Sequence, residues 1–410
     1  MPAQGGWSAS AAPPVAAMTD KRAQAETFDA LVVGAGVIGL ACAWRAAQRG
    51  LRVCVLERDE VGAGASGVAA GMLAPVGEAS WGEDALLSLN LASLRLWQEF
   101  AAELEGESGI SPGYRDCGAL HVALDRDEAE VLRRRHELHR RLELSSEWLR
   151  PSDCRHLEPG LATAVRGGVH APHEAAVDPQ QLCEGLSAAL QKQGGSVELG
   201  AEVVEAEFAE DGVRLGTADG RELRARDVVV ASGSWTGVAD WLPAELRPPV
   251  RPVKGELVVL RGDEPVCERI IASERMYLVP RADGRLILGA TVEERGFDRS
   301  VTAGGVHELL REAYRVLPEI AELELAEVRA GLRPGTPDNA PLIGRAGEGA
   351  PILATGHYRN GVLQAPITAD AVAALLSGEE GPVDLGPFSP TRFAGRSGAT
   401  EPARTEVGAR

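Results

Sequence analysis

Residues 31–57 read LVVGAGVIGLACAWRAAQRGLRVCVLE. The apolar run from Phe28 to Val33 is rich in strand formers and stops at Gly34. A helical pattern continues to Gly50, and a second apolar run from Arg52 to Leu56 ends on Glu57. This periodicity predicts a strand–helix–strand unit. Its first turn carries G-x-G-x-x-G at Gly34, Gly36 and Gly39, with Glu57 eighteen residues after the third glycine. Gly34 permits a tight turn, Gly36 lets backbone approach a pyrophosphate, and Gly39 lets helix and strand pack closely. The helix N-terminus offers N–H groups to phosphate, and Glu57 can accept from ribose hydroxyls. A glycine-rich turn alone describes many α/β proteins; the four features in this order predict a dinucleotide site. They do not separate NAD from FAD.

Just beyond the acidic strand end lies EVGAGASGVAAGMLAP, residues 60–75. Small residues at this density let backbone lie flat against a planar ring, which favours a flavin; by composition alone the stretch would also serve as a linker. Downstream, residues 84–105, 127–144, 178–194 and 304–316 have helical spacing, and 118–124 reads as a strand. Residues 196–235 read as strands turning at Asp211-Gly212 and Asp219-Gly220, and 250–293 alternates strands with turns. The chain closes with a strand at 351–357 and a helix over roughly 361–377. The predicted class is α/β in two domains. A Rossmann-type cofactor domain would be built from 27–110, 172–247 and 330–390. A substrate domain with a large mixed or antiparallel sheet would use 111–171 and 248–329. Residues 1–26 and 391–410 read as a loose extension and tail, with Met18 offering an alternative start.

Lys and Arg number 42 against 60 Asp and Glu, a formal net charge of −18. Nucleic acid and anionic membranes repel such a chain, though a local cationic pocket for a small carboxylate is compatible with it. No window approaches 18 uninterrupted apolar residues, so no membrane span is expected, and the start lacks the order of a secretory signal. The six cysteines (42, 54, 117, 154, 183, 267) are at least twelve residues apart. That spacing predicts neither a metal site nor a disulfide framework, and it suits a reducing, cytoplasmic setting. Cys42 and Cys54 read as core. His121, His136, His139, His156, His170 and His173 carry no ligand-like pattern and read as structural or exposed. RRRHELHRR (133–141) reads as one solvated helix face.

Five segments together resemble the D-amino-acid-oxidase-like flavoproteins, and within them the glycine oxidases of bacterial thiamine biosynthesis. They are GAGVIG with Glu57, SGVAAGMLAP, MYLVPRADGRLILGAT (276–291), GLRPGTPDNAPLIG (331–344) and GHYRNGVLQAP (356–366), spread over residues 28–388. The last two are far more specific than the glycine fingerprint. The resemblance implies FAD, held non-covalently because no cysteine falls in 331–366, where sarcosine oxidases tether it. It implies that Val37 and Ile38 lie at the pyrophosphate turn with Gly34, Gly36 and Gly39, and that Glu57 and Arg58 meet the adenosine portion. Ala65, Ser66, Ala70, Gly71 and Met72 would line the flavin, and Val204 would contact adenine through its backbone. His357, Tyr358, Arg359, Asn360, Gly361, Val362 and Leu363 would pass the isoalloxazine edge. For the substrate, it implies that Arg333 clamps the carboxylate, Tyr277 lines the pocket beside it and Arg359 makes the remaining contact. Two positions depart from the pattern: Arg275 stands where better-known bacterial members have histidine, and Val292 where methionine is expected. Substrate preference is therefore less determined than cofactor.

The implied activity is oxidative deamination of glycine, sarcosine and small D-amino acids by hydride transfer to flavin N5. The products would be an imine, then glyoxylate or another 2-oxo acid, ammonia and hydrogen peroxide. The implied partners are the amino acid, molecular oxygen, further copies of the chain in a homo-oligomer, and a functional link to thiazole synthase. Such a step needs alignment, with the α-C–H about 3–3.5 Å from its acceptor. A guanidinium fixes a carboxylate in one plane, as lysine cannot. Arg359, at the mouth of a helical pattern, would favour the negative charge developing on reduced flavin. No dedicated base is visible, so activity should improve at alkaline pH. Taken singly, Arg333 reads as a surface arginine before a turn, Tyr277 as a core residue and Arg359 as a surface charge; only their company gives them a role. A D-amino-acid dehydrogenase or sarcosine-type oxidase on the same scaffold, and a flavin-binding protein without amine turnover, are the alternatives the sequence leaves open.

Overall fold

The computed structural model describes residues 27–393. The extension at 1–26 and most of the tail at 391–410 lie outside the described residues; the first three tail residues close a short 3-10 turn, Pro390–Phe393.

The quoted stretch folds as read: strand Thr27–Val33, helix Val37–Gln48, strand Val53–Leu56. Ten of the helix's twelve residues are buried. It is apolar nearly all round because the sheet covers one side and the helices Pro179–Lys192 and Ala365–Ser377 cover the others. The first sheet has eight strands. Thr27–Val33 lies parallel between Val53–Leu56 and Glu222–Val230, with Ser196–Glu198 beyond the one and Ile352–Thr355 beyond the other. Strand Leu342–Arg345 closes one edge antiparallel, and the hairpin Val203–Ala209/Gly212–Thr217 extends Glu222–Val230. One sheet thus draws on segments more than 300 residues apart.

The second sheet, also eight-stranded, runs in the order Glu324–Gly335, Arg251–Arg261, Arg285–Gly289, Tyr277–Pro280, Ile270–Ala272, Ala119–Ala123, Gly167–Ala171, Glu147–Leu149. All its pairings are antiparallel except Ile270–Ala272 with Ala119–Ala123. Helix Ala303–Val316 covers its outer face through Leu309, Ala313 and Val316. On that face Lys254 Nζ stands 2.8 Å from Glu256 Oε1, with both side chains fully buried. Alternation along the strand sends Gly255 and Leu257 to the inner face instead. Strand Glu324–Gly335 runs unbroken through residue 330, and sequence reading did not foresee it. Among the described residues no helix is long and apolar enough to cross a membrane.

Candidate active site

A cavity of about 850 Å³ runs between the inner face of the second sheet and the carboxyl ends of the parallel strands. At one end Glu57 terminates its strand. Its Oε2 accepts the Ala35 N–H at 2.7 Å and its Oε1 the Asp59 N–H at 2.9 Å, so the carboxylate is fixed beside the glycine turn. Arg58 places its guanidinium 4.3 Å from the Trp235 ring centre, and Val203 and Val204 complete this end. Trp235 was not foreseen; GSW at 233–235 carries no pattern that would mark it.

In the middle section lie Gly34, Gly36, Val37, Ile38, Ala65, Ser66, Ala70, Gly71 and Met72, all lining the cavity. Gly39 lies behind them: a Cβ there would stand 2.0 Å from Gly34 O, which is the close packing the fingerprint requires. Ser66 has a second task, accepting the Val37 N–H at 3.0 Å and so tying the small-residue loop to the helix start. Gly71, at φ +72°, is needed for protein packing and not only for a ring, since a Cβ would meet Val177 O at 2.0 Å. Arg281, buried behind the loop and pushed down to about 10 by that burial, donates to Ala70 O. The loop is pinned from behind, and its alanine side chains leave a smooth wall toward the cavity.

At the far end Tyr277, Arg333 and Arg359 converge. The Tyr358 N–H donates to Pro334 O at 3.0 Å, and this contact joins a turn of the first sheet to the edge strand of the second. It brings Arg333 and Arg359 into one wall. Arg333 Nη1 donates to Lys254 O at 3.3 Å and Thr291 O at 3.2 Å, over the space left by Gly255, where a Cβ would collide with the guanidinium at 2.3 Å. Burial pushes the Tyr277 hydroxyl above its ordinary value; the adjacent Arg333 charge and hydrogen bond oppose the rise without cancelling it. Burial works against the Arg359 charge, but Glu78, 3.7 Å from Nη1, and the two nearby tyrosines outweigh it, so this guanidinium titrates above an ordinary arginine.

Four expectations need correction. Leu363 does not line the cavity: it is buried, and its carbonyl is pinned by Ser93 Oγ at 2.6 Å and Trp97 Nε1 at 2.8 Å. The last helix begins at Ala365, not 361, so Arg359 stands in a turn six residues ahead of it, and its positive potential is its own. His121 lines the cavity although its sequence context gave no sign. Arg135, within the supposedly solvated basic run, does so too, while Arg134, Arg140 and Arg141 are exposed as expected. His357, Tyr358, Asn360, Gly361 and Val362 line the cavity, as do Arg275 and Val292.

An acid at a strand end, an open helix start, a wall of small side chains and a long cavity ending in cations together fit FAD. A family model described as FAD dependent oxidoreductase (DAO) matches residues 29–375. The chain belongs to the DAO family of FAD-dependent oxidoreductases. A glycine oxidase of Geobacillus kaustophilus is 36% identical over 376 residues, 90% of this chain and 98% of that one. The crystal structure of glycine oxidase from Geobacillus kaustophilus superposes with a TM-score of 0.84 at 35% identity, covering 89% of this chain and 99% of that one. A bifunctional protein ThiO/ThiG of Trichormus variabilis is 36% identical across 91% of this chain, which spans 56% of it. As a DAO-family enzyme the protein uses FAD and oxidises small amino acids.

Two buried histidines of this DAO enzyme set an acid limit. Burial pushes His357 down to about 3, with its Nε2 3.1 Å from Thr368 Oγ1. Burial, with His121, Arg135 and His136 nearby, pushes His139 down to about 4. Both lie below the unperturbed value of 6.5, so the unfolded chain binds these protons first. Their stability contribution is complete above 6.5 and is lost as pH falls toward 4 and then 3. The urea midpoint should fall steadily from pH 6.5 to 4, less steeply in His139→Gln; a flat midpoint over that range would refute the assignment.

Proposed function

We propose that this enzyme is an amino-acid oxidase of the glycine oxidase type. It would convert glycine, and also sarcosine and small D-amino acids, to an imine that water hydrolyses to glyoxylate or another 2-oxo acid and an amine or ammonia. The observation that carries the reading is the convergence of Tyr277, Arg333 and Arg359 at one end of a cavity whose remainder fits FAD. When bound, the flavin supplies a two-electron acceptor for the substrate α-C–H and returns the electrons to molecular oxygen as hydrogen peroxide.

The chain's own residues bind and orient. Arg333 presents a planar fork already anchored by two carbonyls, so a carboxylate meets it in one orientation. Tyr277, its hydroxyl raised in pKa, remains a proton donor to that carboxylate well into alkaline pH. Arg359 stays charged and held near Glu78, adding fixed positive potential to the same wall. None of these three groups accepts a proton near neutrality, so the amine must reach the α-C–H step already uncharged.

Support comes from the glycine oxidase relatives, and for a link to thiazole synthase from the bifunctional ThiO/ThiG likeness. We also propose the division into cofactor-binding and substrate-binding units, non-covalent FAD and a homo-oligomer. The test is oxygen uptake with glycine. It should produce peroxide and trappable glyoxylate in equal amounts, with kcat/KM rising from neutral to alkaline pH. No uptake with glycine, sarcosine or D-alanine in flavin-loaded enzyme would exclude the reading.

A further inference from the structure

The outer face of the second sheet, opposite the cavity, buries charges that the site described above does not use. Alternation along Arg251–Arg261 turns Lys254 and Glu256 to that face. Lys254 Nζ stands 2.8 Å from Glu256 Oε1 and 3.8 Å from Glu293 Oε1, and the Lys254 and Glu256 side chains are fully buried. Glu256 sits at the start of helix Ala303–Val316, where its Oε1 accepts the Thr302 N–H at 3.0 Å. Gly305 makes room for it, since a Cβ there would stand 1.9 Å from Oε2. Glu293 is paired in addition with Arg295, at 2.7 Å. A buried pair of this kind adds little to stability over apolar side chains of the same volume.

The same residues carry both carbonyls on which Arg333 rests. Arg333 Nη1 donates to Lys254 O and to Thr291 O. Lys254 and Glu293 exchange backbone hydrogen bonds, the Lys254 N–H to Glu293 O at 2.9 Å and the Glu293 N–H to Lys254 O at 3.0 Å. Lys254 O therefore accepts from both Glu293 and Arg333. Thr291 O belongs to residues 290–293, which continue past the end of strand Arg285–Gly289 and carry Val292 to the cavity. They are held to Arg251–Arg261 by the Lys254–Glu293 bridge, by a 3.3 Å bond from the Thr291 N–H to Glu256 O, and by the Thr291 hydroxyl. That hydroxyl accepts the Glu256 N–H at 2.9 Å and donates to Glu293 Oε1 at 3.2 Å.

We propose that Lys254, Glu256, Thr291 and Glu293 form a positioning cluster that sets the plane of the Arg333 guanidinium from the far side of the sheet. This rests on the carboxylate clamp proposed above. None of the four lines the cavity, so they act through Arg333 and touch no substrate. The Lys254 cation draws Glu256 and Glu293 together and so fixes the separation of the two anchoring carbonyls. With the cation gone, residues 290–293 keep their backbone bridge, but Thr291 O drifts from Lys254 O. The guanidinium then turns about its remaining anchor, and a carboxylate meets it out of plane.

The test uses the FAD-loaded enzyme and the double variant K254M/E256Q. Methionine keeps the volume of lysine, and the glutamine oxygen still accepts the Thr302 N–H, so flavin content and urea midpoint should hold. The second-order constant for flavin bleaching by glycine without oxygen should fall about tenfold, through the glycine dependence and not the limiting rate. In an R333A background the same two changes should cost less than about twofold, because their route to the substrate is gone. If K254M/E256Q is not recovered with flavin, Thr291→Val takes its place in the same comparison. Thr291→Ser, which retains the hydroxyl, should then restore the rate. Equal losses in both backgrounds, or no loss with Arg333 in place, would overturn the cluster and leave the clamp standing. An R333A enzyme that bleaches as fast as the parent, or a parent that glycine does not bleach, would overturn the clamp and the cluster with it.

Discussion

Replacing Arg333 by alanine is expected to lower kcat/KM for glycine by about a thousandfold, ~4 kcal/mol, with FAD still bound. The size follows from what the side chain does. Its Nη1 is occupied by the carbonyls of Lys254 and Thr291, which fix the plane of the guanidinium before any substrate arrives. A preoriented fork gives a carboxylate two parallel charge-assisted hydrogen bonds and sets the direction of the α-carbon. Removal leaves the substrate carboxylate without its planar partner, with only Tyr277 and the potential of Arg359 beside it, so KM rises most and kcat falls as alignment is lost. Arg333→Lys should recover little, because an ammonium imposes no plane. Gly255→Ala should reproduce much of the loss without touching the arginine, since the new methyl would occupy the space of the guanidinium. An unchanged KM in Arg333→Ala would remove the clamp from the account.

The second large effect concerns the cofactor. Gly39→Ala should yield protein without flavin, or none that folds. The added Cβ would stand 2.0 Å from Gly34 O. That carbonyl cannot retreat: the Gly34 N–H is bonded to Leu56 O at 2.8 Å, and Gly34 itself packs on Ala231 O so tightly that a Cβ would meet it at 2.6 Å. The helix would have to lift from the strand and carry its N-terminus away from the pyrophosphate position. Gly36→Ala is the control. Its Cβ would meet only the Ser66 hydroxyl, at 3.2 Å, which can give way at the cost of its bond from the Val37 N–H. The ratio of flavin to protein absorbance should therefore fall to nearly zero in Gly39→Ala and only partly in Gly36→Ala. Normal flavin content in Gly39→Ala would contradict the packing argument.

Much of this was legible in the chain because it rests on local rules. The glycine turn, the acid at the next strand end and the turns at Asp211-Gly212 and Asp219-Gly220 each depend on neighbours a few residues away. The α/β class and the two sheets followed from them. What escaped reading is set by distant contacts. Strand Glu324–Gly335 is exposed along its first half, so the alternation that marks a strand is absent until Leu332. Leu363 looks like its cavity-lining neighbours, and only Ser93 and Trp97, some 270 residues earlier, draw it inward. His121 and Arg135 lie on a strand and a helix whose sequences show amphipathic order; that their inner ends open on the cavity depends on how the sheet is threaded, in particular on the parallel pairing of Ala119–Ala123 with Ile270–Ala272. Arg275 was legible as a departure from a resemblance.

The central claim is that one cavity holds FAD and presents an amino acid to it. The most direct measurement is the visible spectrum of the purified protein, sealed from oxygen, before and after glycine is added. The account predicts oxidised flavin bands that bleach on addition of glycine and return on admission of air, with peroxide formed. A flavin spectrum untouched by glycine, sarcosine, D-alanine and D-proline would contradict it, leaving a flavoprotein whose Tyr277, Arg333 and Arg359 serve some other end.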